Sequence, residues 1–290
     1  ESLAGRVALL HMSPMSQREI IGAPCGPFTT DMDRLLAERD QFQPVTTPEL
    51  FARLWLGSMP GLISGQSPDR NIFYSSYLST YVERDVRELS GSVDALKFNR
   101  FVTAVAARCS QLLNYKALAD DADIDMPTAK NWVNILETLG IIFLLHPYSN
   151  NVLKRTIKTP KVYFYDTGLV CYLTRWSSPE VAESGAMSGA LLENFTVSEI
   201  MKSYQNAGLE PYLYFYRDRD AKEIDVILEG DGKLCPLEIK KTATPDKRLT
   251  RVFSVMDRSP LQLGTGAVLC MAEQFGAFDR DNLIVPIWMI

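Results

Sequence analysis

The chain has 290 residues, enough for two or three domains, and its 46% hydrophobic and 22% charged residues exclude a disordered or fibrous chain. No apolar run reaches the length of a membrane-spanning helix, which argues against a helical membrane partner. The net charge of −5 gives no overall attraction to nucleic acid, so any such contact must rest on local basic patches.

The five cysteines (Cys25, Cys109, Cys171, Cys235 and Cys270) are odd in number and far apart. They suggest neither a disulfide framework nor a zinc site, and with no signal-like segment they fit a cytoplasmic location. His11 and His146 have no partner at metal-ligand spacing.

In chain order, residues 6–12 read as a buried strand that wants sheet neighbours on both sides. The residues after it do not supply them, so the chain is expected to lack an N-terminal part of its own domain. Ser16 is placed to cap a helix holding Arg18 and Glu19. Residues 30–96 read as helices broken at Pro44, Pro48, Pro60 and Pro68, with a loop over 57–69. Within them 74–89 predicts an amphipathic helix, because Tyr77, Leu78, Tyr81, Val82 and Val86 recur at helical spacing. Glu83, Arg84, Asp85, Arg87 and Glu88 form its solvated face.

Residues 96–163 follow a different pattern. Helices are expected at 98–112, 115–120 and 128–139, the last capped by Asp125 or Thr128 and stopped at Gly140. Strands are expected at 141–148 and 161–165. Helices followed by a two-stranded wing describe a winged helix-turn-helix. Its recognition helix would turn Lys130 and Asn131 outward and Trp132, Ile135 and Leu136 inward. Lys154, Arg155, Lys158 and Lys161 give the wing a positive stretch without acids, a local footprint for DNA. The acids of DDADID at 120–125 lie beside the turn, and such modules also contact protein, so both partners stand open.

Residues 164–290 alternate helix and strand. Asp166 caps a helix, 177–189 read as a loop of small residues, and 189–205 form a long helix. Glu193 shares an arc of that helix with Val197, Ile200 and Tyr204, while Glu199 falls near Leu192 and Phe195. A buried carboxylate requires a partner, and nearby Lys or Arg could supply it. A strand at 212–218, a hairpin, a helix near 249–256, a strand at 266–271 and a final apolar run at 283–290 complete a mixed α/β domain.

The hairpin turns at Asp231-Gly232, a favoured two-residue loop. That turn sets Gly230 opposite Lys233, Leu228 opposite Cys235, Val226 opposite Leu237, Asp225 opposite Glu238 and Glu223 opposite Lys240. Ile224, Val226, Leu228, Cys235, Leu237 and Ile239 then share one face. The other face gathers Glu223, Asp225, Glu238 and Lys240 at the open end, a plausible place for a divalent metal and a hydrolytic water.

Asp225 followed by Glu238-Ile239-Lys240 resembles the D…(D/E)xK signature of the restriction-endonuclease-like, PD-(D/E)xK fold. The resemblance implies that Glu193, Asp225 and Glu238 ligate Mg²⁺, that the Ile239 carbonyl can add an oxygen, and that Lys240 orients the attacking water or stabilises charge on the phosphate. More widely, PMSQRE near the start, TYVERDVREL at 80–89, the segments 112–148 and 154–173, GALLENFTVSEI at 189–200, KEIDVIL and LEIK resemble prokaryotic AAA-type ATPases with a C-terminal uncharacterised domain. This likeness implies three parts. Residues 1–95 would be the end of an ATPase module with its helical lid, 96–163 a winged helix-turn-helix, and 164–290 an endonuclease-like α/β domain. The chain carries no G-x-x-x-x-G-K-[ST] phosphate loop, so ATP is expected only of a complete parent protein, as is ATPase self-association. In that parent, Arg84 and Arg87 could take part in nucleotide sensing.

Overall fold

The computed structural model describes residues 12–67, 69–82, 84, 86, 94–148 and 158–290. Most of the strand read at residues 6–12 lies outside them, and Met12, its last residue, is exposed.

Short polar side chains start the helices. Ser16 caps α1 (Gln17–Ile21) reciprocally: its side chain accepts the Glu19 N–H, and the Glu19 carboxylate accepts the Ser16 N–H. Asp31 caps α2 (Met32–Glu38), and Thr46 with Glu49 repeats the reciprocal cap at α3 (Thr47–Leu56). The 57–69 stretch, read as a loop, contains one helical turn, α4 (Pro60–Ile63), because Pro60 at its first position presets the backbone. Asp69 caps α5 (Arg70–Ser76), which continues as a π-helical turn over Tyr77–Val82 rather than the α-helix expected from periodicity. Residues 83, 85 and 87–89 of that expected helix lie outside the described residues.

Asp94, Asn114 and Asp125 cap α6 (Ala95–Ala106), α7 (Tyr115–Ala122) and α8 (Met126–Thr138). Trp132 of α8 meets Phe98 and Phe101 of α6 edge-on at 5.2 and 5.3 Å, which locks the two helices together. β1 (Ile142–Pro147) and β2 (Lys161–Phe164) then pair antiparallel from Ile142↔Phe164 to Leu145↔Lys161.

Asp166 does more than cap α9 (Thr167–Leu173). Besides the Leu169 N–H it accepts the Tyr74 hydroxyl at 2.7 Å and the Ser58 N–H at 2.7 Å. One buried carboxylate thus ties the turn before α4, α5 and α9 together. The approach needs glycine at position 57: φ is 85°, and a Cβ would lie 2.1 Å from Tyr74 Oη. The small-residue stretch at 177–189 is not an open loop. It forms α10 (Pro179–Ser184), capped by Ser178, and opens into α11 (Ser188–Asn206).

The remaining strands are β3 (Leu213–Arg217), β4 (Glu223–Gly230), β5 (Lys233–Lys240), β6 (Gln262–Leu263), β7 (Gly266–Cys270), β8 (Gly276–Ala277) and β9 (Asn282–Pro286). Among the described residues they join one mixed sheet in the order β2-β1-β3-β4-β5-β7-β9-β8, with β6 on the side of β5. The sheet crosses the border expected at 163/164, because β1 pairs in parallel with β3 through His146↔Tyr214. The helix expected near 249–256 is a 3₁₀ run over Lys247–Arg258. A main core takes in Phe28, α2 to α11 and the sheet, while Ile224, Ile227 and Leu234 pack with Phe253 and Met256 of the 3₁₀ run. Among the described residues no helix is long and apolar enough to cross a membrane.

Candidate active site at the open end of the hairpin

The hairpin holds the register set by its turn, through Gly230↔Lys233, Leu228↔Cys235 and Val226↔Leu237. Beyond Val226 the backbone ladder stops, so Asp225 and Glu238 are not a paired rung. The Asp225 carboxylate replaces the rung and accepts the Ile239 N–H at 2.8 Å. A bulge causes the departure: β3–β4 pairing steps from Tyr214↔Ile227 to Tyr216↔Ile224, with one residue more on β4 than on β3. The extra residue also splits the expected apolar face. Val226 and Leu228 enter the main core, whereas Ile224 joins Ile227 in the second one.

Four carboxylates meet here, from Glu193 on α11, Glu223 and Asp225 on β4, and Glu238 on β5. The cation at their centre is Lys161. It is 3% exposed, and its Nζ lies 3.0 Å from Glu193 Oε1 and 2.6 Å from Glu223 Oε1. This corrects its placement among the wing cations available to DNA: Lys161 opens β2, whose side chains are buried, and points at α11. Tyr163, two residues on and therefore on the same strand face, donates to Glu193 Oε1 at 2.7 Å. Arg217 reaches Glu223 Oε2 at 3.1 Å. Lys240 Nζ lies 2.7 Å from Glu238 Oε1 and 3.6 Å from Asp225 Oδ2.

Fully ionised, four carboxylates against Lys161, Arg217 and Lys240 leave one negative charge in excess. Burial, then the Asp225 charge, pushes Glu193 up to about 7 despite Lys161 and Tyr163. The same causes push Glu238 up to about 7 against Lys240. Burial disfavours the charge on Lys161 and on Lys240, but the surrounding carboxylates outweigh it and hold both ammonium groups above the usual lysine range. Among the described residues, Glu193 Oε2, Asp225 Oδ1 and Glu238 Oε2 accept no hydrogen bond, and Glu238 Oε2 is buried without a partner. These spare oxygens are hard donors of the kind Mg²⁺ takes. They are not gathered on one point: among the described residues no group of three or more acidic, His or Cys side chains is spaced to hold a metal ion.

The fold brings Glu193, Asp225, Glu238 and Lys240 into one cluster, as the register expected, and adds Lys161 and Tyr163, which the sequence reading did not place there. The alternation of KVYFY already put those two on one face. Of the other expected nucleic-acid contacts, Lys130 is exposed on α8 with its ammonium 5.7 Å from the Tyr115 ring centre, and Lys158 is exposed. Lys154 and Arg155 lie outside the described residues.

Comparison with known proteins gives the chain relatives but no activity. Residues 47–180 match a domain of unknown function, DUF8612, and residues 188–290 match another, DUF4143. The second is found in AAA-ATPase-associated proteins. Uncharacterized proteins of Mycobacterium bovis and Mycobacterium tuberculosis are each 28% identical over 290 residues, which is 99% of this chain and 58% of theirs. The chain thus spans less than two thirds of the length of these curated relatives. No solved structure matches it. The two matches meet between residues 180 and 188, at the junction of α10 and α11.

Proposed function

We propose that the chain is part of an AAA-ATPase-associated protein and that its α/β region is a PD-(D/E)xK-like domain that cleaves nucleic acid with Mg²⁺. The observation that carries this reading is one oxygen on each of Glu193, Asp225 and Glu238 that accepts no hydrogen bond among the described residues, that of Glu238 being buried. A negative excess with unused hard oxygens is what a divalent cation relieves. Glu193, Asp225 and Glu238 would hold Mg²⁺, which would neutralise phosphate charge and acidify a water when bound. Lys240, which pairs with Asp225 and Glu238, would orient that water or meet charge on the phosphate. Lys161 and Tyr163 fix the Glu193 carboxylate and keep α11 in register with β2. In the same reading α6 to α8 with β1 and β2 are a winged helix that brings DNA, supported by exposed Lys130 and Lys158.

A second reading has its own support: the domain keeps the fold as a binding or regulatory module without catalysis. Lys161 already neutralises Glu193 and Glu223, as a resident cation would. The test is incubation of the purified chain with single- and double-stranded DNA and with RNA, in Mg²⁺ or Mn²⁺. Cleavage that disappears in Glu238→Gln and Asp225→Asn supports the nuclease. Intact substrate in every condition leaves the non-catalytic module as the account.

A further inference from the structure

A separate cavity of about 590 Å³ opens between α3, α5, α6 and the end of α9. Its wall includes Arg70, Asn71, Asn99, Tyr172, Arg175 and Trp176, and it shares no residue with the carboxylate cluster. Its volume is in the range that takes small organic ligands.

The charge of its wall is one-sided. Arg70 and Arg175 line it, and no described lining residue is a carboxylate. Arg70 is 8% exposed, yet no described acid forms an ion pair with it. Its fork is held by neutral acceptors instead, from Nε to the Trp55 carbonyl and from Nη2 to the Gly168 carbonyl, each at 2.8 Å, and from Nη1 to Asn71 Oδ1 at 3.4 Å. Asp166, the carboxylate whose charge acts on Arg70, is taken by Ser58, Tyr74 and Leu169. The guanidinium also lies 4.0 Å over the Trp55 ring, which stabilises a cation without cancelling its charge. Burial pulls the Arg70 pKa down and Asp166 offsets this only in part, so an anion in the cavity would stabilise the charge. The indole N–H of Trp176, another lining residue, is buried and has no acceptor among the described residues. It is a group that can only donate.

We propose that this cavity binds a small organic phosphate. The phosphate sits on Arg70 and Arg175, and a flat ring is held beside Tyr172 and Trp176. A rigid arginine fork suits phosphate better than a flexible ammonium does. The aromatic walls and the amide NH2 of Asn71 suit a ring with polar edges.

Calorimetric titrations with inorganic pyrophosphate, AMP and adenosine test this. Pyrophosphate and AMP are expected to bind, and adenosine at least about ten-fold more weakly. Arg175→Met is expected to weaken AMP and pyrophosphate about ten-fold while leaving the melting temperature of the free protein unchanged, since Arg175 is exposed. Glu238→Gln should bind AMP as the parent does, which separates this site from the nuclease reading. Arg70→Lys keeps the charge and loses the fork, so weaker AMP binding in a folded variant supports the site; should it fail to fold, Arg175→Met decides. No heat with any probe at millimolar concentration, or equal AMP affinity in Arg175→Met, overturns the proposal. Arg175-dependent binding of a short oligonucleotide without binding of AMP or pyrophosphate overturns the small-ligand assignment.

Discussion

Glu199 and Glu193 occupy the same helix six residues apart, and each meets a lysine, but the two ends of α11 are built differently. Glu199 is closed on every side. Its Oε1 takes Lys202 of its own helix at 2.5 Å, its Oε2 takes the Gln17 N–H at 2.7 Å, and Lys202 goes on to the Met15 carbonyl at 2.9 Å. Both partners are at most 3% exposed. That end fastens the N-terminal segment to the helix. Glu193 takes its lysine from another element, spends one oxygen on Lys161 and Tyr163 together, and faces Asp225 across the cluster. A closed pair stabilises the fold, whereas an open one leaves charge to be used.

The difference can be broken by mutation, and the largest effect falls at the closed end. Glu199→Ala strands a buried Lys202 and the Gln17 N–H, so about 3–5 kcal/mol of stability should be lost in urea titration. A loss below about 1 kcal/mol would mean that water reaches the pair. At the open end the pH dependence has the opposite sign from an ordinary ion pair. Glu193 and Glu238 sit near 7 in the folded chain against an ordinary 4.5, so the folded state binds more protons between those values. Stability is therefore full below about pH 4.5 and falls as pH rises through about 7, by on the order of 3 kcal/mol for either group. Denaturant midpoints measured from pH 4.5 to 7.5 should show the fall, and the double variant Glu193→Gln, Glu238→Gln should flatten it. A wild-type midpoint that does not change, or that rises, contradicts the strained cluster.

Removing the Glu193 carboxylate alone should have a smaller effect. Glu193→Gln keeps the shape and much of the hydrogen bonding to Tyr163, so at pH 4.5, where Glu193 is protonated in the folded chain, it should change stability by about 1 kcal/mol or less, and it should abolish cleavage at neutral pH. The smallest expected effect on stability is at Lys240, whose side chain is 41% exposed: Lys240→Ala should stay within about 1 kcal/mol in the same urea assay. Cleavage lost with the fold intact would mark Lys240 as part of the chemistry.

The hairpin and its turn were legible because Asp231-Gly232 specifies a register and the alternation around it is regular. The caps at Ser16, Asp125 and Asp166 were legible for the same reason, a polar side chain at a fixed offset. What could not be read is what depends on a distant element. The bulge on β4 follows from how β3 docks, and it moves Ile224 away from Val226 without any local sequence mark. Lys161 was read among surface cations because KRTIKTPK is basic, while only the packing of β2 against α11 turns it inward. Asp166 was recognised as a cap, but its bonds to Tyr74 and Ser58 come from residues 92 and 108 positions away. The α10 turn was hidden by its small residues, which also suit a loop.

The open end of α11 carries the functional account, and its direct test is a Mn²⁺ titration by calorimetry at pH 7.5 in two buffers of different ionisation heat. The account predicts saturable binding with buffer-dependent heat, because the metal displaces the proton that Glu193 and Glu238 hold near neutrality, and it predicts loss of that heat in Glu238→Gln. Absence of heat in the parent chain, or an unchanged titration in Glu238→Gln, would contradict a cation site and leave Lys161, Arg217 and Lys240 as the cations that these carboxylates serve.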